Sequence, residues 1–287
     1  MFTQKRRPYL IHFHNILVKN KLSIRIGISS RPFRYFNQKD ITPSVPIRDF
    51  RMLEKNKFSA LIKIINEDKS IVHEKVIDTD QFGHLNYNLT LTDLSNRDWK
   101  NMSVHVYETS SLPGVDLFLG SAKAVSISSD SPIVISDFDK TLVDTKYRTT
   151  VELYNSLTSP LRSFPTVKET INILEPILEK KTPFFILSAS PHFYENAIRT
   201  WLSEMNIQDS GIFLKDYRHF FSFNNTELFS KDIKAHGTFK LSQLLNLTYM
   251  LSMPKEIILF GDNSESDPLI YSLFHHILSN REDVTET

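Results

Sequence analysis

Cysteine is absent from the 287 residues. This excludes disulfides, thiolate metal sites and a cysteine nucleophile, and it agrees with a reducing compartment. No run of about 18 apolar residues occurs, so no membrane span is expected. The N-terminal segment does not read as a secretory leader: Met1–Arg7 is basic, but Pro8–Val18 is broken by His12, His14 and Asn15, and no small-residue cleavage site comes after it. These absences lead to the expectation of a cytoplasmic protein. Neither an internal repeat nor a low-complexity tract is found. What is present is the composition of a soluble globular chain, 40% apolar and 23% charged, of a length that suits two domains.

The formal charge of +1 conceals an asymmetry. Residues 1–128 carry 19 Lys+Arg against 12 Asp+Glu, or +7, and residues 129–287 carry 15 against 21, or −6. A basic half can steer an anionic partner, either nucleic acid or an anionic membrane surface, although a charge dispersed over solvated surface is the commoner explanation.

Residues 1–128 read as strands. Tyr9–Val18, Leu22–Ser29, Phe58–Asn66, Ser70–Asp78, Leu85–Leu91, Met102–Glu108 and Leu117–Ile127 are rich in Ile, Val, Phe and Tyr, and in Leu22–Ile28 every second residue is apolar. Turn chemistry at Asn66–Asp68, Asp80–Gly83 and Pro113-Gly114 separates them. Seven short strands without a helical stretch predict an antiparallel β-sandwich accessory domain. Past a small, polar junction at Ser126–Ser131 the pattern alternates. Buried strands are expected at Pro132–Phe138, Pro183–Ser188, Ile212–Lys215 and Glu256–Phe260. Helices are expected from a Thr166–Glu169 capping box with Ile171, Leu174 and Leu178 on one face, from Pro191 through Ala197, Ile198, Trp201, Leu202 and Met205, over His236–Met250, and over Asp267–Leu278. This is the pattern of an α/β domain over 129–287, a Rossmann-like parallel sheet with flanking helices.

Ligands of such sheets bind at the carboxyl ends of the strands, and the polar clusters fall there. Asp137-Phe-Asp139-Lys-Thr141 comes after the first strand, Ser188-Ala189-Ser190-Pro191 after the second and Gly261-Asp262 through Asp267 after the fourth, while Lys240 sits near a helix start. Two aspartates two apart can divide the work: one carboxylate attacks phosphorus, and the other protonates the leaving oxygen and then activates water. Massed carboxylates repel one another unless a cation neutralises them. Mg²⁺ suits all-oxygen ligands, and Asp137, Asp139, Asp262 and Asp267 are the candidates to hold it. Ser188 can bond a phosphoryl oxygen, and Lys240 can offset charge that builds there. Any one of these alone has an ordinary explanation as a turn, an N-cap or a surface lysine. Their joint order after successive strands points to phosphoryl transfer.

Asp137-Phe-Asp139-Lys-Thr141-Leu, Ser188, Lys240 and Gly261-Asp262…Asp267 together resemble the four motifs of the haloacid dehalogenase superfamily. Ile186-Leu-Ser188-Ala-Ser190-Pro191, Lys240 and Leu259 through Tyr271 are similar to phosphatidate phosphatases of the actin-patch-protein type, as is the turn Thr79–Leu85 in the preceding β-rich region. One departure is His192-Phe193, where the resemblance calls for tryptophan. The resemblance implies a HAD-like fold without a large cap and a Mg²⁺-dependent phosphatase. Asp137 would be the nucleophile and Asp139 the acid/base, with Ser188, Lys240, Thr141 and Ala189 against the substrate. The substrate it implies is a lipid phosphomonoester such as phosphatidate. Two alternatives stand beside it: a phosphatase of nucleic-acid ends held by the basic half, and a β-domain binding module with a regulatory phosphatase domain.

Leu142–Pro165 and Asp216–His236 leave room for connectors but not for a folded cap. Phe220, Phe221, Phe223 and Phe229 in the second could form an apolar rim at a membrane, although core packing is their commoner fate. Lys231 and Lys234 rival Lys240 as the catalytic lysine. His12 with His14, and His275-His276, lack a third ligand and read as structural.

Overall fold

A computed structural model describes residues 6–32, 44–47, 56–90, 102–128, 130–146, 149–215, 236–263 and 266–280. The chain divides into two compact units, Met1–Pro43 with Phe50–Ser128, and Ser44–Asp49 with Ser129–Thr287. It has mixed α/β content.

The first unit holds eight strands among its described residues: β1 (Arg6–Val18), β2 (Lys21–Pro32), β3 (Ser59–Ile65), β4 (Ile71–Asp78), β5 (His84–Thr90), β6 (Ser103–Glu108), β7 (Leu117–Lys123) and β8 (Val125–Ile127). They form two sheets, ordered β5-β2-β1-β8 and β4-β3-β6-β7. Alternation sets the register. Leu22, Ile24, Ile26 and Ile28 of β2 turn inward to meet Ala60, Ile62 and Ile64 of β3 and Val104 and Val106 of β6 in one apolar core. The strand expected over Leu117–Ile127 breaks at Ala124. Its first part stays antiparallel to β6, and its second part changes sheets to pair in parallel with β1, Val18 opposite Ile127. The region is therefore antiparallel except for that one pair.

The Thr79–Leu85 turn closes against β2. Asp80 Oδ1 accepts from the amides of Phe82 and His84, both at 2.8 Å. Gly83 has φ +80°, and a Cβ there would lie 2.0 Å from the Ile28 carbonyl oxygen, so only glycine fits this approach.

The second unit is a parallel sheet of β9 (Ile133–Ser136), β10 (Phe184–Pro191), β11 (Gly211–Lys215) and β12 (Ile257–Phe260), ordered β11-β10-β9-β12. Every residue of β9 and β11 is buried, as expected of strands covered on both faces. Among the described residues the α-helices are α1 (Thr150–Thr158), α2 (Lys168–Leu178), α3 (Glu195–Glu204), α4 (His236–Met250) and α5 (Asp267–Ser279). Chain order runs outward from β9 to β11 and then returns to β12 on the other side. That reversal creates a switch point beside β9, where open α/β sheets bind ligands.

Two helix starts differ from expectation. Thr166 does not cap α2, whose N-cap is Val167 without a side-chain bond. Thr166 instead bridges Val143 of the loop after β9, and the Val167 amide bonds the Leu142 carbonyl. The capping box lies upstream: Thr149 Oγ1 accepts from the Glu152 amide at 3.2 Å, and Glu152 Oε2 accepts from the Thr149 amide at 3.0 Å. It opens α1, a helix within the segment read as a connector. Pro191 ends β10 and precedes a 3-10 turn, His192–Tyr194, that leads into α3. Ala197, Ile198, Trp201 and Leu202 are buried as expected, whereas Met205 at the helix end is exposed.

Candidate active site

The site is assembled from backbone outward. The Asp137 amide bonds the Phe260 carbonyl at 2.9 Å, which fixes the end of β9 to the end of β12. The chain then turns tightly, with Lys140 in the left-handed region at φ +59° and the Leu142 amide on the Phe138 carbonyl. This turn brings Thr145 back to Asp139.

Asp137, 2% exposed, is held by both oxygens. Oδ1 accepts from the Phe138 amide at 2.7 Å and Oδ2 from Lys240 Nζ at 2.8 Å. Lys240 also donates to Asp267 Oδ1. Its burial comes from helical spacing: Lys240, Leu244, Leu247 and Thr248 share the inward side of α4, so the ammonium is carried into the domain on an otherwise apolar face. Tyr271, one turn after Asp267 on α5, donates its hydroxyl to the Phe260 carbonyl at 3.0 Å and approaches Asp267 Oδ2 at 3.5 Å. Both side chains pack over Gly261, where a Cβ would stand 2.6 Å from Asp267 Oδ2 and 2.7 Å from Tyr271 Cε2.

Oxygens of Asp137, Asp262 and Asp267 lie within 4.8 Å of one another. Asp139 is turned elsewhere. Thr145 Oγ1 donates to its Oδ1 at 2.6 Å, and Ser188 Oγ at 3.3 Å and Ser190 Oγ both donate to its Oδ2. A register shift between Ser188 and Pro191 makes this possible: Ala189 and Ser190 are the extra residues, and the bulge delivers both hydroxyls to one carboxylate. Thr141 Oγ1 is buried and has no hydrogen-bond partner among the described residues. Sequence reasoning gives no role in the site to Thr145, Ser190 or Tyr271. Tyr271 carries a usable signal, its i, i+4 spacing from Asp267; Thr145 carries none, because its place depends on the turn geometry.

The electrostatics are unbalanced. Asp137, Asp139, Asp262 and Asp267 are all buried, and Lys240, buried as well, pairs with Asp137 and Asp267. Burial raises the Asp137 carboxyl to about 8, opposed by the Lys240 charge and assisted by Asp267 and Asp139. Burial alone would lower Lys240, but the charges of Asp137 and Asp267 outweigh it and hold the amine above its ordinary range. Tyr271 is pushed up by burial and then by the neighbouring carboxylates. The ammonium therefore keeps its charge, and burial beside other carboxylates resists the ionisation of Asp137.

Of the rival lysines, Lys231 and Lys234 lie outside the described residues, as do Phe220, Phe221, Phe223 and Phe229. His12 and His14 are buried on β1 and stack at 6.2 Å.

A parallel sheet with a buried lysine among convergent carboxylates at its switch point is a candidate active site. Residues 132–281 match the family described as "Phosphatidate phosphatase APP1, catalytic domain". The match spans more than half of the chain, and the protein belongs to this family of phosphoric monoester hydrolases. No curated protein matches the chain. Among solved structures, a β-glucuronidase of Ruminococcus gnavus is 7% identical at a TM-score of 0.24, covering 68% of this chain and 33% of its own. Another from Parabacteroides merdae is 9% identical at a TM-score of 0.27, covering 88% and 34%. The chain thus spans about a third of their length, and likeness at this level bears on neither fold nor function. No helix among the described residues is long and apolar enough to cross a membrane.

Proposed function

We propose that the protein is a Mg²⁺-dependent phosphomonoesterase that hydrolyses a lipid phosphate such as phosphatidate through an aspartyl-phosphate on Asp137, in a HAD-like domain without a large cap. One observation carries the reading: Asp137, Asp262 and Asp267 converge within 4.8 Å beside Lys240 in a chain of the phosphatidate phosphatase family. The donor set fits Mg²⁺, being all oxygen, close-set and in charge excess. Asp137, Asp262 and Asp267 would hold the ion, with Asp139 set apart on its hydroxyls. Bound there, Mg²⁺ supplies Lewis-acid polarisation of the phosphoryl oxygens.

The chain's own groups divide the remaining work. An Asp137 oxygen attacks phosphorus, and the phosphorus–oxygen bond to the glycerol breaks. Asp139 gives the leaving oxygen its proton and takes one from the water that then cleaves the acyl phosphate, restoring Asp137 and releasing phosphate. Lys240 offsets negative charge on the phosphoryl group throughout. Ser188 and Ser190 orient Asp139, and Thr141, with its buried hydroxyl, is a candidate donor to the substrate.

The test is Mg²⁺-dependent phosphate release from phosphatidate, lysophosphatidate, an end-phosphorylated oligonucleotide and sugar phosphates, with Asp137→Asn as control. Preference for phosphatidate, lost in the control and on chelation of the metal, is expected. Release confined to the oligonucleotide or the sugars would leave the mechanism standing and overturn the lipid assignment.

A further inference from the structure

Two different stretches of chain grip Asp139. Thr145, in the loop after β9, donates to Oδ1, and Ser188 and Ser190, at the bulged end of β10, donate to Oδ2. The regular ladder of the sheet sets the position of neither Thr145 nor Ser190. The pairing of β9 with β10 ends at Ser136 and Ile186, and Ser190 stands where β10 slips its register with β11. A tie between the two stretches beyond the ladder therefore bears on how the carboxylate is held.

Past Asp139 the two stretches meet again. The first continues into α1, opened by the Thr149–Glu152 capping box, whose buried residue is Ser156. The second continues into the 3-10 turn His192–Tyr194, buried throughout. Ser156 Oγ donates to the Leu153 carbonyl at 2.8 Å. A hydroxyl has one proton to give, so Tyr194 is the donor in its 3.1 Å contact with Ser156 Oγ. Both residues are closed off from water, Ser156 at 0% and Tyr194 at 2% exposure, so solvent cannot stand in for either. The bond completes a circuit from Asp139 through Thr145, Ser156, Tyr194 and Ser190 back to Asp139. Burial raises the Tyr194 hydroxyl above its ordinary range, the Ser156 bond opposes this and the Asp139 charge adds to it, which puts the hydroxyl within the field of that carboxylate.

We propose that the Ser156–Tyr194 hydrogen bond is a strut that sets the spacing of the Asp139 clamp, and that Tyr194 and Ser156 are positioning residues for proton transfer by Asp139. The proposal rests on the acid/base role given to Asp139 above. With the strut in place Thr145 and Ser190 hold opposite oxygens of one carboxylate. Without it the two stretches move apart, and Asp139 follows one of its donors away from the leaving oxygen. A displacement of about 1 Å at a reacting group can cost up to about 10²-fold, so losing one bond of the circuit should cost a part of that. A role in packing alone predicts something else, because a buried tyrosine hydroxyl needs a partner in any fold: lower stability, with no preference among substrates.

Tyr194→Phe keeps the ring and removes the strut. The comparison is of kcat/KM on a water-soluble short-chain phosphatidate, whose alkoxide leaves only with a proton, and on p-nitrophenyl phosphate, whose phenolate leaves without one. This parameter stops at phosphoryl transfer, before Asp139 acts as base. The variant is expected to lose about tenfold on the alkyl phosphate and less than about twofold on the aryl phosphate. Ser156→Ala should do the same, and the double variant should be no worse than either alone, since each removes the one bond. Equal losses on both substrates, or none, would overturn the proposal.

Amide hydrogen exchange reads the clamp without any substrate. The Thr145 amide bonds the Val143 carbonyl and the Ser190 amide bonds Ser188 Oγ. Both should exchange about tenfold faster in Tyr194→Phe, while the Ile270 amide of α5, bonded to the Ser266 carbonyl, keeps its rate. Unchanged exchange at Thr145 and Ser190, or an equal acceleration at Ile270, would overturn the strut. If wild type hydrolyses neither substrate, the phosphomonoesterase reading fails instead, and exchange alone decides whether the strut holds Asp139.

Discussion

In the first unit a buried acid is satisfied where it stands: Glu108, fully buried at the end of β6, accepts from the Ser110 hydroxyl, from the Ser110 amide at 2.8 Å and from the Ser111 amide at 3.0 Å. In the second unit the buried acids are gathered. Asp137, Asp139, Asp262 and Asp267 arrive from the ends of β9 and β12, and two of them, Asp137 and Asp267, share Lys240. The first arrangement supports the fold, because both carboxylate oxygens have local donors. The second opposes it, because like charges are brought together out of water, and a fold keeps such a cluster only where the site's work requires it. The same substitution, acid to amide, should therefore act with opposite sign in the two units.

Asp137→Asn is the largest expected effect. Phosphate release should fall by about 10³-fold or more, since the amide cannot form the acyl phosphate. The metal-free protein should melt higher, on the order of 1 kcal/mol or a few degrees for a domain of this size, because the amide spares the fold the cost of burying a carboxyl raised to about 8 while Lys240 retains Asp267. Calorimetry in chelator, beside the activity assay, checks both. A lower melting temperature would mean that Asp137 is a net structural support and would break the contrast.

A pair of glycines sharpens it. Gly27 in β2 and Gly261 after β12 each lack room for a Cβ, the first at 2.5 Å from the His12 ring and the second at 2.6 Å from Asp267 Oδ2. Ala at either should cost about 1–3 kcal/mol through overpacking. Only Gly261→Ala should also lower turnover, by about 10²-fold, because it displaces the start of α5 and with it Asp267. Equal turnover in the two variants, measured by kcat on a soluble substrate, would show that the helix start has slack.

These contrasts also mark where the sequence is legible. The β2 alternation Leu22, Ile24, Ile26, Ile28 puts the right residues into the core, because a two-residue period leaves no other face to bury. The strand ends that carry Asp137, Ser188 and Asp262 are legible for a related reason: buried parallel strands are short apolar runs, and the polar residues at their carboxyl ends build the site. The capping box is harder to place, because the Thr-x-x-Glu pattern occurs at Thr166 as well as at Thr149, and nothing local says that Thr166 is taken by Val143. The parallel β1–β8 pair needs the break at Ala124, a tertiary crossing without a turn signal. Position in Asp-x-Asp groups Asp139 with the metal ligands; its bonds to Thr145 and Ser190 depend on a turn and a bulge that spacing does not encode.

Tyr271→Phe is a smaller probe of the same helix start. The ring still packs over Gly261, and only the hydroxyl that bonds the Phe260 carbonyl and approaches Asp267 is lost. A fall in kcat of about tenfold, with KM little changed, is expected of a residue that positions Asp267. Direct calorimetric titration of Mg²⁺ should show weaker binding by a similar factor. A loss of stability with unchanged kcat and metal affinity would make Tyr271 a packing residue only.

Glu108→Gln is the smallest effect and completes the comparison with the opposite sign. Burial by itself would raise the Glu108 carboxyl, but the hydroxyls and amides of Ser110 and Ser111 outweigh it and hold the group below its ordinary 4.5. A depressed acid contributes stability that is complete above its unfolded value and is lost as pH falls through the lower folded one. At neutral pH the Gln variant should therefore be the less stable, by about 1 kcal/mol, having exchanged charge-assisted bonds for neutral ones. As pH drops below 4.5 the wild type should lose this advantage and the two unfolding curves should converge. Denaturant titrations at neutral and acid pH decide it: a gap that persists or widens in acid would mean that the Ser110–Ser111 turn binds the neutral acid as well as the carboxylate, and the local pairing that separates this unit from the active-site unit would not hold.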